Sequence, residues 1–128
     1  LDLPKNLPKV LGSEGDLFPV FLNLLQNAVD ALDQHGQAAG LIRLSAQWSP
    51  ESKEIFCYVE DNGPGVEPSL LSHIFEPFVT NKDVGQGTGL GLALAHATIG
   101  QLGGSIEAQN QSEGGLRITI RLPLAEEG

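Results

Sequence analysis

Apolar residues recur at Leu17, Val20, Phe21, Leu24, Ala28, Ala31 and Leu32, and this three- and four-residue spacing predicts an amphipathic helix over residues 14–34. Pro19 is expected near the first turn, where a helix tolerates it, and Gly36 in "QHGQAAG" is the expected C-cap. The pattern then changes. "LIRLSAQW" and "EIFCYVED", joined by the turn-like "SPESK", predict two strands. "NGPGVEP" is a cluster of turn formers, and residues 69–74 are expected as a short helix. Residues 76–88 mix Pro, Asn, Asp and Gly with few apolar anchors and predict a mobile loop. A second long helix is expected from Gly89 to Leu102, followed by two strands, "SIEAQNQ" and "LRITIRLPL", joined by "SEGG". Ahead of the first helix, "LDLP" and "KVLG" are short extended pieces. Helices set between β-hairpins predict an α+β fold: a two-layer α/β sandwich with a mixed β-sheet covered on one face by helices.

Composition narrows the class. A chain of 128 residues is long enough for one domain with one core and too short for two. The formal charge is −9 and there is no Lys/Arg cluster, which argues against a nucleic-acid partner or an anionic membrane surface. No apolar run reaches the ~18 residues of a spanning helix. "LDLPKNLPKV" lacks the charged and apolar regions of a signal peptide. The single cysteine, Cys57, sits inside the apolar run "EIFCYVE" and is expected as a buried strand residue. Together these features suit a cytoplasmic compartment.

Three constellations carry candidate chemistry. In "NLLQNAVDAL", Asn23, Asn27 and Asp30 fall in one narrow sector flanking the Leu24/Ala28/Ala31 stripe. Their oxygens suit a hard cation such as Mg²⁺, although solvated helix residues would show the same pattern. In "VEDNGPGV", a strand ends at Asp61 and the chain turns through Gly63 and Gly65, which allow positive φ and close approach of a ligand. A carboxylate there can accept a hydrogen bond from an exocyclic amine such as adenine's; an ordinary Asn-Gly turn fits as well. In "GQGTGLGLALAHA", glycines occupy alternate positions from Gly85 to Gly91 directly before a helix-forming run. Freed backbone N–H groups and a helix N-terminus make a phosphate site. The stretch fits neither a P-loop nor the dinucleotide fingerprint, and a plain hinge remains open.

In this order and spacing, "NLLQNAVDAL", "DNGPGV", "IFEPFVTNK" and "GQGTGLGLALA" resemble the four nucleotide-binding boxes of the sensor histidine kinases. That family shares a superfamily with gyrase, the heat-shock chaperone ATPases and the MutL mismatch-repair proteins. The resemblance covers residues 9–123 of a single catalytic domain, 1–128, and is strongest to the nitrogen-regulation kinases. It implies the Bergerat ATP-binding fold, with a flexible ATP lid at about 76–88. It also implies ATP and Mg²⁺ as ligands, with Asn27 as the metal ligand and Asn23 lining the same wall near the phosphates. Asp61 would accept the adenine N6 hydrogen bond, Gly63 and Gly65 would shape the pocket floor, and Thr119 would support the carboxylate. Phe75 and Phe78 would anchor the start of the lid, and Ala31, Val66, Ile74 and Leu92 would give apolar contacts. The run Gly87, Thr88, Gly89, Leu90, Gly91 would fold over the triphosphate, with Lys82 as the lid cation.

The superfamily's hydrolases carry a Glu one turn before the metal-binding Asn. Here that place is Asn23, an amide without the basicity to activate water, which favours phosphotransfer. His35, His73 and His96 do not sit in a phosphoacceptor context, so the chain reads as a module holding the donor's site without the acceptor. The implied partners are a histidine-bearing dimerisation domain of the same parent and a response regulator receiver domain. The fragment is expected to be monomeric and cytoplasmic, with no direct membrane contact. A hydrolytic ATPase module of the gyrase type, a non-catalytic nucleotide sensor and an anti-sigma-type kinase are the alternatives.

Overall fold

A computed structural model describes residues 14–34, 40–49, 51, 53–76, 91–112 and 114–123. Helix α1 spans Glu14–Gln34, as the apolar spacing predicts, and buries Val20, Leu24 and Ala28 one turn apart. Pro19 departs from expectation: it lies inside the helix in the second turn, on the exposed side. Its missing N–H removes the bond that the carbonyl of Gly15 would otherwise receive. The expected C-cap Gly36 and the extended pieces before α1 lie outside the described residues.

Strands β1 (Ile42–Ser49) and β2 (Glu54–Asp61) form an antiparallel hairpin, with Ile42 opposite Asp61 and Ser49 opposite Glu54. The short helix α2 (Pro68–Leu71) and helix α3 (Gly91–Gln101) precede a second hairpin, β3 (Ser105–Asn110) and β4 (Leu116–Pro123). The sheet order is β1-β2-β4-β3. The mixed strand direction expected from the sequence is not found among the described strands, because all three ladders are antiparallel. The crossover through α2 and α3 does join two parallel strands, β2 and β3. Strand β4 inserts between them and pairs antiparallel with both, so the parallel strands never touch.

Alternation with period two decides the layers. Ile55, Val59, Ile118, Ile120 and Leu122 are buried on one face, beneath α1 and α3. Helix α1 packs on α3, β2 and β1, and α3 packs on β3. Ala95 and Ile99 of α3 complete the core with Val20 and Leu24 of α1. Each large aliphatic buried this way stabilises the fold by about 1.5–3 kcal/mol.

The other sheet face is polar. Gln47 donates through Nε2 to the Tyr58 hydroxyl at 2.7 Å, and the Arg117 guanidinium lies 5.6 Å from the Tyr58 ring centre. Arg117 also pairs with Glu60 at 3.6 Å, while Arg121 pairs with Glu54 and donates to Ser105 Oγ at 3.1 Å. Arg43 stands opposite Glu60 in the register. All three arginines of the chain are therefore on the face turned away from the helices.

Helix α3 ends in a Schellman motif, with Gly103 at φ 82°. The Gly104 N–H reaches the Ile99 carbonyl at 3.0 Å and the Gly103 N–H reaches that of Gly100 at 3.1 Å.

Candidate functional site

The alternation that buries Ile55 and Val59 carries on to Asp61, so β2 delivers a carboxylate to the helix-facing side at the end of the sheet. Asp61 is the buried charged residue among those described, with 6% exposure. A buried carboxylate needs donors. Oδ1 accepts the Gly63 N–H at 2.9 Å and the Leu116 N–H at 3.4 Å. Both contacts fall on Oδ1. Among the described residues Oδ2 receives none, and it is the oxygen open to an incoming amine.

The turn after Asp61 is held at several points. The Asn62 side chain accepts the Leu41 N–H at 2.7 Å and the Asn62 N–H reaches the Leu41 carbonyl at 3.2 Å, fixing the turn to the start of β1. Gly65 takes φ 78°, as expected for a turn glycine, whereas Gly63 does not take positive φ and serves by its N–H instead. The Val66 N–H donates to Asn110 Oδ1 at 2.8 Å, and Asn110 Nδ2 donates back to the Val66 carbonyl at 2.6 Å. Gln111 Nε2 donates to the Asp61 carbonyl at 3.1 Å, and the Gln111 N–H reaches the Gly115 carbonyl at 2.8 Å. Between the two turns lies an open cleft of about 560 Å³, walled by residues 64–68 on one side and by Asn110, Gln111, Gly114 and Gly115 on the other.

Asn110, Gln111 and Gly115 are absent from the sequence-based set. The available signal was a polar pair ending a period-two strand, followed by Gly-Gly. A sequence cannot say that this turn closes on Asp61, because β4 comes to lie beside β2 only in the assembled sheet.

The predicted apolar contacts Val66 and Leu92, and the predicted lid anchor Phe75, are half-buried and pack against the core, and Ile74 is buried. Phe75 also stacks on His96 of α3, with ring centres 5.5 Å apart and planes 27° apart. On α1, Asn23 and Asn27 are half-buried, one turn apart, beside the Val20/Leu24/Ala28 row. Asp30 accepts Gln26 Nε2 at 2.9 Å. The two amides are neutral hard donors suited to a cation that keeps waters and phosphate oxygens. Among the described residues no group of three or more His, Cys, Asp or Glu could hold a metal alone.

Thr119 is not brought to this site. It pairs with Tyr58 and Glu107 on the polar face, because odd positions of β4 face away from the helices while Leu116 and Ile118 face them. The donor that β4 does supply to Asp61 is a backbone N–H, that of Leu116. Gly91 opens α3. Phe78, Lys82, Gly87, Thr88, Gly89 and Leu90, and hence nearly all of the expected lid, lie outside the described residues, as does the side chain of Ala31. His73 pairs with Glu76. Cys57 is half-buried on the core face between Ala46 and Ile120, and burial pushes its thiol up to about 11. It is therefore a poor nucleophile at neutral pH.

The family described as histidine kinase-, DNA gyrase B-, and HSP90-like ATPase matches residues 12–126. The two-component sensor PprA of Pseudomonas aeruginosa is 47% identical over 117 residues, covering 91% of this chain and 13% of PprA. The sensory histidine kinase/phosphatase NtrB of Rhizobium meliloti is 42% identical over 128 residues, covering 91% of this chain and 32% of NtrB. The chain thus spans a third or less of these relatives. Among solved structures, full-length ShkA in complex with AMPPNP superposes with a TM-score of 0.80 at 30% identity, over 99% of this chain and 25% of ShkA.

Proposed function

The chain belongs to the histidine kinase-, DNA gyrase B-, and HSP90-like ATPase family, and within it we propose that it acts as the phosphate donor of a two-component sensor kinase. It is an ATP-binding catalytic domain of the sensor histidine kinase type. In the proposed reaction it binds Mg-ATP and passes the γ-phosphoryl to a histidine on a separate dimerisation domain, for relay to a response regulator.

The observation that carries the reading is the buried Asp61 carboxylate, with Oδ1 saturated by two backbone N–H groups. That arrangement fits the adenine amine on Oδ2 and leaves the carboxylate acceptor-only. Val66, Ile74 and Leu92, buried or half-buried, are proposed as the apolar contacts of the base, with Phe75 at the start of the lid. Charge placement bears on the phosphates. With every arginine on the far sheet face, backbone N–H groups, a cation and Lys82 of the expected lid are proposed to offset the negative charge at the nucleotide. Asn27, with Asn23 beside it, would hold Mg²⁺, which supplies charge neutralisation to the triphosphate when bound. Asn23 has no proton-accepting role, so water is not activated and positioning governs transfer. No described helix is long and apolar enough to cross a membrane, and the domain is proposed to work in the cytoplasm.

The test mixes the chain with the dimerisation fragment of its parent and labelled ATP. Acid-labile, base-stable label on the fragment, absent with Asp61→Asn, is the expected result. Free phosphate without protein label would instead identify a hydrolase, and binding without either product a nucleotide sensor.

A further inference from the structure

The β3–β4 turn makes more contacts with the Asp61 turn than a passive neighbour needs. Asn110 meets the Val66 peptide with both halves of its amide, at 2.8 Å and 2.6 Å, which copies a strand-strand hydrogen-bond pair. Its Oδ1 sits so close to Gly65 that a Cβ there would fall 2.6 Å away. The next residue, Gln111, holds the other end of the same turn through the Asp61 carbonyl at 3.1 Å. Residues 61–66 are thus clamped at both ends by consecutive side chains. Between the clamps lies the Gly63 N–H, 2.9 Å from Asp61 Oδ1.

We propose that Asn110 is a positioning residue for nucleotide recognition: its paired bonds to Val66 keep the turn closed, so that the Gly63 N–H stays on Asp61 Oδ1 and Oδ2 is presented to the base. The proposal rests on the reading of Asp61 as the base acceptor. Its physical logic is geometric. A turn fixed only at Asp61 can swing open at Val66, and the carboxylate then turns toward water and gives up its fixed direction. Loss of one hydrogen-bonded contact of this kind corresponds to roughly a tenfold change in local opening.

The test uses the chain itself, with amide hydrogen exchange followed by NMR and nucleotide affinity followed by calorimetry with Mg²⁺. In Asn110→Ala, exchange at Gly63 and Val66 is expected to rise about tenfold or more, while amides of Val59 and Ile118 keep their protection. ATP affinity should fall by a similar factor, and GTP affinity should change far less, since guanine offers no amine donor at the same place. Asn110→Gln keeps an amide with both an acceptor and a donor and should recover part of both effects.

Wild-type exchange at Gly63 together with wild-type ATP affinity in Asn110→Ala overturns the proposal. Equal loss of protection through the whole sheet, unrelieved in Asn110→Gln, also overturns it by making Asn110 a general stability residue. Asp61→Asn separates the two levels. If that variant binds ATP normally, the base-acceptor reading fails, and the positioning role fails with it whatever the exchange data show. If Asp61→Asn abolishes binding while Asn110→Ala leaves it intact, only the positioning role fails.

Discussion

Gly115 is where the structure makes its sharpest demand on a single residue. Its φ is 97°, and a Cβ built on it would lie 1.9 Å from the Asp61 carbonyl oxygen, 2.8 Å from the carbonyl carbon and 3.0 Å from the Asn62 Cα. These are backbone atoms and cannot rotate away. Ordinary contact lies near 3.5 Å, so in Gly115→Ala the β2 end and the β3–β4 turn must separate by roughly 1.5 Å. That separation breaks the Gln111 Nε2 bond to the Asp61 carbonyl and the Leu116 N–H bond to Asp61 Oδ1. At about 1 kcal/mol each, with about 1–2 kcal/mol for the left-handed backbone, the expected destabilisation is about 3–4 kcal/mol. Against a total of about 5–15 kcal/mol for a domain of this kind, that is a large fraction.

Gly100 is the control, because a Cβ there meets nothing within 4 Å and the residue sits exposed near the end of α3. Gly100→Ala should stabilise by about 0.8–1 kcal/mol. Urea unfolding followed by circular dichroism checks both, read from the midpoint at unchanged slope. The expected melting shifts are roughly −10 to −20 °C for the first and about +3 °C for the second. A Gly115→Ala variant as stable as wild type, or shifted no further than Gly100→Ala in either direction, would refute the packing argument.

Three further outcomes are expected. Thr119→Val should leave ATP affinity within twofold of wild type by calorimetry, about the scatter expected of a surface substitution, because Thr119 lies on the face opposite Asp61; a tenfold loss would mean the face assignment is wrong. ATP affinity should drop steeply when Mg²⁺ is replaced by EDTA, and equal affinity in the two titrations would contradict the charge argument built on the arginines. Cys57 should react with iodoacetamide at pH 8 about a hundredfold more slowly than an ordinary thiol, since its ionisation is raised from 9.0 to about 11 by burial. The same shift contributes stability that is fully present below about pH 9 and is lost as pH rises through about 11. Alkylation at the free-thiol rate in the folded chain would refute the raised ionisation of the half-buried thiol.

Local pattern was enough for much of this protein. The spacing of Val20, Leu24 and Ala28 predicted the buried face of α1, because an amphipathic stripe has one way to bury itself. The period of two in "EIFCYVED" placed Asp61 at the end of a strand, and the four motifs in sequence pointed to the family whose model matches the chain. Residue type alone was a poorer guide to exposure: Phe18 and Leu22 are 68% and 53% exposed, while Leu24 two positions on is buried.

Tertiary structure decided what depends on partners distant in the chain. The described strands pair only antiparallel because β4 inserts between β2 and β3, a matter of assembly order that no strand's own residues encode. Thr119 and Leu116 differ by an odd number of residues on one strand, so their side chains take opposite faces, and the donor that reaches Asp61 is the backbone N–H of Leu116. Asn110 and Gln111 gained their roles in the same way. A side-chain amide at the end of a strand is unremarkable until a turn more than forty residues earlier in the chain is brought against it.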